Sequence, residues 1–249
     1  MAIGRITIAL VAGAGLVCLF AHSERAWAID RIDSPAVEKG VFELEYSGNR
    51  TSDPHRDKND IQEHELTVTY APLDYWSTEL TGHFSKEPSD STQMSGVEWL
   101  NTLRFSEPGA CWIDSGMEVS YTAATLSRQP DTAEARLLLE KDWGKFTHTA
   151  NIGLSQDVGK YAEGGPDRLV LWSSRYHYSD HFAPGFEIQS DLGKSSDHLS
   201  FQQQEHYAGP ALYGSFGEHI DYEAAWLFGV TDAASQNAVR LLLNYHMGF

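Results

Sequence analysis

The chain of 249 residues carries 35 acidic residues against 18 lysines and arginines, a formal net charge of −17 at pH 7. This balance argues against nucleic acid as a partner, because phosphate binding requires a basic surface. Of the two cysteines, Cys18 and Cys111, the first lies in a predicted export signal, so the mature chain has no pair for an intramolecular disulfide. After residue 28 no apolar stretch reaches the roughly 20 residues that a membrane-spanning helix needs, so a membrane-spanning fold would have to be a closed barrel.

Residues 1–28 are typical of a cleavable signal peptide. Arg5 supplies the positive charge, an apolar run follows, and Ala26-Trp27-Ala28 offers a small-x-small cleavage site. The alternative is a transmembrane anchor, but two glycines interrupt the apolar run, which is shorter than a bilayer-spanning helix. We therefore expect export followed by cleavage.

Alternation of apolar and polar residues between turn-forming clusters divides the remaining chain. Residues 29–39 are predicted to be a short periplasmic segment and residues 40–249 a single β-barrel domain. The pattern predicts about twelve strands, near 40–48, 61–71, 74–85, 94–106, 111–125, 132–143, 145–156, 167–178, 184–193, 204–216, 219–231 and 236–249. The tenth is the weakest, because Pro210 has no amide to donate to a ladder.

The predicted connections alternate in length. Those at 72–73, 107–109, 143–144, 180–182 and 216–218 are short, whereas the intervening loops are longer and richer in Asp, Ser, Lys and Gly. Short turns at one rim and long loops at the other are typical of outer-membrane barrels. A soluble β-sandwich shows the same alternation of faces within its strands and is the alternative fold.

The alternation assigns many charged side chains to the inner face of the predicted barrel. The acidic candidates are Glu43, Glu45, Glu65, Glu79, Glu98, Asp114, Glu118, Glu134, Glu140, Glu187, Asp191, Asp221 and Glu223. The basic candidates are Arg104, Arg136, Arg175 and Arg240. This excess of carboxylates predicts a narrow, acidic, partly plugged lumen that prefers cations if it conducts. Polar filling without any transport role is the alternative.

Turn positions also predict specific neighbours across the lumen wall. The turn near residue 108 would bring Arg104 opposite Asp114. The turn near residue 180 would bring Arg175 close to Glu187. Closure of the last strand on the first would bring Arg240 close to Glu43 or Glu45.

The last predicted strand places an apolar residue at every second position and ends on an aromatic residue. Such an ending is typical of the closing strand of an outer-membrane barrel, where the assembly machinery binds the terminal aromatic. We therefore predict that Leu243, Tyr245, Met247 and Phe249 form the assembly signal.

The chain resembles bacterial outer-membrane β-barrel proteins, and more narrowly the outer-membrane proteins of the meta pathway of phenol degradation. The resemblance lies in residues 38–46, 208–212, 227–231 and 239–249. It implies a barrel fold and the transport of small solutes, aromatic compounds among them. It supplies no substrate-binding residues.

Catalytic and metal-binding patterns are weak. The sequence contains no G-x-S-x-G nucleophile motif, and its histidines are scattered among carboxylates on almost every strand. We expect no enzyme activity, no cofactor and no metal, with an outer-membrane enzyme as a remote alternative.

These observations together predict an all-β, antiparallel, up-and-down transmembrane β-barrel in the outer membrane of a Gram-negative bacterium. We expect a narrow passive channel for small solutes. The alternative is a non-conducting barrel that supports the envelope or presents its loops. The expected partners are outer-membrane lipid and the barrel-assembly machinery, and the expected state is a monomer.

Overall fold

The computed structural model describes residues 29–179 and 181–247, so the predicted signal peptide and Phe249 lie outside the described residues. Twelve strands are present among these residues. In chain order, β1 to β12 span Phe42–Ser52, Gln62–Leu73, Trp76–Lys86, Gln93–Arg104, Asp114–Ala124, Asp131–Trp143, Phe146–Val158, Asp167–Tyr176, Ala183–Lys194, Glu205–Phe216, Ile220–Gly229 and Asn237–Met247. A short 3₁₀ helix, Phe201–Gln203, lies between β9 and β10.

The strands form one closed antiparallel barrel. Each strand pairs with its neighbours in the chain, and β1 pairs with β12. This confirms the predicted twelve-stranded antiparallel barrel. Closure leaves no unpaired strand edge, which is the feature that lets a sheet satisfy all its backbone groups without water. Among the described residues, no helix is long and apolar enough to cross a membrane.

Neighbouring residues of one strand face opposite environments. On β12, Leu243 is 39% exposed whereas Leu242 is 4% exposed, and on β11 Trp226 is 54% exposed whereas Leu227 is fully buried. Successive side chains of a strand point to opposite faces, so the exposed apolar set lies outside the barrel and the buried set lies inside.

Strand β10 continues through Pro210 without interruption. Pro210 pairs with Phe186 of β9, while the pairing with β11 passes from Ala208 directly to Ala211. The missing amide of Pro210 explains this gap. At Gly209 the backbone lies so close to β11 that an added Cβ would be 2.1 Å from the Trp226 carbonyl oxygen, so a larger side chain would break the wall here.

The two rims differ in their connections. The terminal rim, where β1 begins and β12 ends, has tight turns at 74–75, 144–145 and 217–219 but longer connections at 105–113 and 177–182. The opposite loop rim carries 53–61, 87–92, 125–130, 159–166, 195–204 and 230–236. Two terminal-rim connections are thus longer than predicted.

Buried apolar side chains fill part of the lumen. An apolar cluster lies mainly along β9 to β12 and is formed by Ile29, Ala183, Tyr207, Ala211, Tyr213, Ala225, Leu227, Ala234 and Ala238. Apolar residues in this part of the lumen reduce the space left for water between the strands.

Candidate functional site

The N-terminal segment, residues 29–39, lies inside the barrel. The backbone N–H of Asp33 donates to Oδ1 of Asn151 on β7 over 2.8 Å, and Nδ2 of Asn151 donates to the Asp33 carbonyl over 2.8 Å. The sequence predicted a short periplasmic segment here. The structure instead places its residues across the lumen, because the polar inner wall offers partners to its backbone.

Asp30 fixes the start of this segment on the packed side. Its backbone N–H and carbonyl both bond to the side-chain amide of Gln189, each over 3.0 Å. Arg240 also donates to the Asp30 carbonyl. On the opposite wall, Arg136 donates to the Asp30 carboxylate over 2.9 Å. The segment is therefore anchored to several strands at once.

Arg31 lies at the centre of the lumen among carboxylates. Its Nη1 donates to Glu45 on β1 over 3.0 Å, and its Nη2 donates to Glu79 on β3 over 3.1 Å. Its Nε pairs with Asp33 of the same segment. Each guanidinium nitrogen thus has its own carboxylate, which is the strong charge-assisted arrangement.

The segment leaves the lumen along β4 and β5. Pro35 is fully buried and packs against Gly116, where an added Cβ would lie 3.0 Å from the Pro35 Cβ. Arg104 donates to the Val37 carbonyl over 3.3 Å. The N–H of Gly40 then donates to the Ala71 carbonyl over 2.8 Å at the terminal rim.

Two cavities flank the segment. The larger, about 410 Å³, extends toward the terminal rim, and the smaller, about 280 Å³, extends toward the loop rim. Both are lined by Arg31, Asp33, Glu45, Glu79 and Glu118. These five residues therefore form the constriction of the lumen.

Glu118 has an unusual place in the constriction. The residue is only 3% exposed. Its Oε1 accepts from Thr102 over 3.4 Å, whereas its buried Oε2 has no hydrogen-bond partner among the described residues. Burying a carboxylate oxygen without a hydrogen-bond donor costs free energy. This atom is therefore an unused acceptor inside the lumen.

Glu187 and Arg240 form an ion pair that fills the packed side of the lumen. Both side chains are completely buried, with Nη2 of Arg240 2.8 Å from Oε1 of Glu187. The Tyr213 hydroxyl donates to the same oxygen over 2.6 Å, and Glu223 lies 3.5 Å from Arg240. The predicted proximity of Arg240 to Glu43 or Glu45 is wrong.

The reason is the stagger between β1 and β12. Arg240 lies opposite Asn49, whereas Glu43 lies opposite His246 near the terminal rim. In a closed barrel the strands tilt, and the resulting shear sets which residues meet where the sheet closes.

The predicted pairing of Arg104 opposite Asp114 is also wrong. Arg104 lies opposite Gly116 and pairs with Glu107, while Asp114, at the start of β5, accepts the N–H of Gly109 in the connection before it. The connection 105–113 is longer than the predicted turn, which shifts the register.

Arg175 and Glu187 lie diagonally across the pairing of β8 with β9, not directly opposite each other. Arg175 lies opposite Gly185, and Glu187 lies opposite Ser173. The Arg175 guanidinium lies 5.2 Å above the Tyr213 ring. The connection 177–182 is again longer than the predicted turn.

Two histidines bridge predicted carboxylates. His83 contacts Glu65 over 3.1 Å and Glu98 over 3.0 Å. At the terminal rim, His246 contacts Glu43 over 3.0 Å and Asp221 over 2.8 Å. These histidines share the inward parity of the carboxylates, so the alternation could have included them.

The remaining predicted lumen residues have local partners. Glu134 pairs with Arg136, which also approaches Asp33. Glu140 accepts from Thr149 over 3.0 Å. Asp191 accepts the N–H of Gly193 over 2.7 Å near the loop rim.

Sequence reasoning missed the charged residues of the N-terminal segment. Asp30, Arg31 and Asp33 supply contacts to β1, β3, β6 and β9. The available signal was a charged cluster directly after the predicted cleavage site, followed by Pro35 and no alternation. Among the described residues, no group of three or more His, Cys, Asp or Glu side chains is arranged to hold a metal ion.

At the loop rim, the connection 53–61 is held by its aspartates. Asp60 accepts from Lys86 over 2.5 Å and pairs with Arg50 over 2.8 Å. The hydrogen bond from Lys86 holds the pKa of Asp60 below its ordinary value of 3.8. Burial opposes ionisation of Asp53, but hydrogen bonds from His55 and Gln236 outweigh it and lower its pKa.

This connection is tied to the connection 230–236. Lys58 donates to the carbonyls of Asp232 and Ala233 over 2.5 and 2.8 Å. The Ala233 N–H donates in turn to Gln202 in the connection before β10. The loops above the packed side of the lumen thus form one linked cover.

Several solved structures of outer-membrane porins and channels are similar to this fold. An outer-membrane channel from Pseudomonas putida F1 superposes with a TM-score of 0.64 at 12% identity, covering 88% of this chain and 100% of that chain. A KdgM porin gives 0.59 at 8% identity, covering 82% and 98%. A NanC porin gives 0.58 at 10% identity, covering 82% and 100%. At such identities the likeness establishes the fold.

No family model and no curated protein matches the sequence. The resemblance to the meta-pathway proteins is therefore not confirmed. The chain has the β-barrel fold of outer-membrane porins and channels.

Proposed function

We propose that this protein is an outer-membrane channel for small solutes whose lumen is acidic, prefers cations and is narrowed by the N-terminal segment. The two cavities carry this proposal. They extend toward opposite rims and meet at the constriction, where a short segment rather than a folded domain separates them. A twelve-stranded barrel is intermediate between small filled barrels and open porins.

The outer surface suits lipid. Leu66, Leu80, Ile152 and Leu241 are all exposed on the barrel exterior, and burying such side chains in hydrocarbon is favourable. Because the closed barrel has no free strand edge, we propose a monomer in a Gram-negative outer membrane.

The last strand supports a role in assembly. Leu243 and Tyr245 share the outer face of β12, and the parity extends to Met247. We propose that these residues and Phe249, which lies outside the described residues, are bound by the barrel-assembly machinery.

The lining of the cavities favours hydrophilic cations. Carboxylates and hydroxyl groups dominate it, and rings of acidic side chains select cations in narrow pores. A KdgM porin has been solved with oligogalacturonate. An acidic sugar chain of this kind would be repelled by the carboxylates of the present lumen. Aromatic solutes were implied only by the family resemblance, and the polar lining favours hydrophilic ones.

A non-conducting barrel is the second candidate. The buried pair of Glu187 and Arg240, together with the segment, fills much of the lumen. Such packing would suit a barrel that supports the envelope. Catalysis is not part of either proposal.

Conductance of the refolded protein in a planar lipid bilayer distinguishes the two candidates. A channel should give discrete current steps of uniform size in potassium chloride. Heat-modifiable gel migration of the same sample should show that the barrel is folded. Folded protein that inserts without any current steps would contradict the channel and support the non-conducting barrel.

A further inference from the structure

We infer that Glu45, Glu79 and Glu118 form a binding site for a guanidinium or primary-amine group of an organic cation, and that Arg31 of the N-terminal segment occupies this site as an internal competitor. The inference rests on the proposed channel function and names the solute class that the constriction would bind. Glu45, Glu79 and Glu118 lie on β1, β3 and β5, so the rigid wall holds them in place.

The first observation is the fit of Arg31 itself. Two different guanidinium nitrogens donate to Glu45 and Glu79, over 3.0 and 3.1 Å. A guanidinium is planar, and its donors match carboxylates placed around it. The wall carboxylates therefore already bind a guanidinium group in this structure.

The second observation is the spare acceptor. Oε2 of Glu118 is buried and has no hydrogen-bond partner among the described residues. A buried acceptor without a donor destabilises the site. Arg31 thus leaves one acceptor of the site unused, and a ligand with additional N–H groups could satisfy it.

The third observation concerns access. Glu45, Glu79 and Glu118 line both cavities, so a solute could reach them from either rim. The segment that carries Arg31 is not a strand, and its backbone is held largely by side chains of the wall. Its departure would break no pairing between strands.

Departure of Arg31 would leave the wall carboxylates close together without their main cation. Glu45 and Glu79 are both buried, and an uncompensated buried charge is strongly unfavourable. A proton or another cation should therefore replace Arg31. The positions of the carboxylates around the Arg31 guanidinium favour an organic cation with several N–H donors.

Agmatine is a suitable probe because it carries a guanidinium and a primary amine. Calorimetry with the refolded full protein in detergent should show that Arg31→Ala binds agmatine at least about tenfold more tightly than the wild type. A tethered competitor acts at millimolar effective concentration, and its removal uncovers the site. Arg31→Lys retains the competing charge and should bind agmatine as weakly as the wild type.

Two further variants make the test specific. Arg31→Ala combined with Glu79→Gln should lose most of the gained affinity. Arg50→Ala removes an arginine that pairs with Asp60 at the loop rim and should leave agmatine binding as in the wild type. Gel migration should show a folded barrel for every variant.

The outcomes test the binding site and the channel function separately. Equal agmatine affinity in Arg31→Ala and the wild type would overturn the inference, and current steps in those samples would still support the channel. Tight agmatine binding by Arg31→Ala without any current would support the site and contradict the channel.

Discussion

The side-chain amide of Asn151 holds the backbone of Asp33 in both directions, donating to its carbonyl and accepting from its N–H, each over 2.8 Å. Asn151 is fully buried on the inner face of β7. The contact resembles the paired hydrogen bonds between two strands, yet one partner is a side chain. A single residue of the wall thus fixes the middle of the N-terminal segment.

Replacing Asn151 with alanine should loosen the segment. Both backbone groups of Asp33 would lose their partners, at a cost of about 1–3 kcal/mol for a buried unsatisfied group. The segment should then leave the constriction more often. We expect larger or longer current steps in a planar bilayer than in the wild type.

Asn101→Ala is the matched control. Asn101 accepts a hydrogen bond from Trp76 and lies one residue from the inward-facing Thr102, so it has the outward parity. The Asn101→Ala substitution should leave the current unchanged. Equal currents for Asn151→Ala and the wild type would show that the segment does not limit conduction.

Removing one partner of the buried pair should destabilise the barrel. Arg240→Met leaves Glu187 without its cation, and breaking a buried pair on one side costs about 3–5 kcal/mol. Denaturant unfolding in lipid vesicles would measure the loss. The double variant with Glu187→Gln should recover a substantial part of it, and a double variant as unstable as Arg240→Met would argue against the pair.

Arginine on the outer face should be costly. Leu243 lies near the middle of β12 and faces outward, so Leu243→Arg should destabilise the protein by about 2–4 kcal/mol at the bilayer midplane. Asn244→Arg places the same side chain toward the larger cavity, near Glu43, and should cost much less. Refolding titrations in lipid vesicles compare the two. Equal costs would contradict the assignment of faces.

Acid should release the connection 53–61. Because the pKa of Asp60 is lower in the folded protein, its contacts stabilise the connection fully above its ordinary value of 3.8 and are lost as pH falls through the folded value. Hydrogen exchange of residues 53–61, corrected for its intrinsic pH dependence, should accelerate below that pH. Asp60→Asn should reduce the acceleration to the part that Asp53 contributes, whereas Asp57→Asn should retain all of it.

The alternation of apolar and polar residues predicted the strands because each side chain of a barrel wall faces either the exterior or the lumen. Leu242 and Leu243 differ only in parity, and the structure buries the first and exposes the second. The first strand runs to Ser52 rather than residue 48, because polar residues such as Asn49 weaken the alternation although they still pair with β12.

Side-chain partners across the wall could not be predicted in the same way. Arg240 on β12 pairs with Glu187 on β9, although these strands are not neighbours in the sheet, because the two side chains meet in the packed lumen. Turn lengths predict only which residues of adjacent strands lie opposite each other. The N-terminal segment has no periodicity, and its placement depends on side chains such as Asn151 and Gln189 that are distant in sequence. The local sequence pattern therefore predicts the strands of the barrel wall better than it predicts the side chains and the N-terminal segment that fill the lumen.

The reversal potential across a salt gradient tests the central claim of an acidic, cation-preferring lumen most directly. With refolded protein in a planar bilayer and potassium chloride at two concentrations, the sign of the zero-current voltage should indicate preference for potassium over chloride at neutral pH. A preference for chloride would contradict the acidic lumen and the function proposed from it.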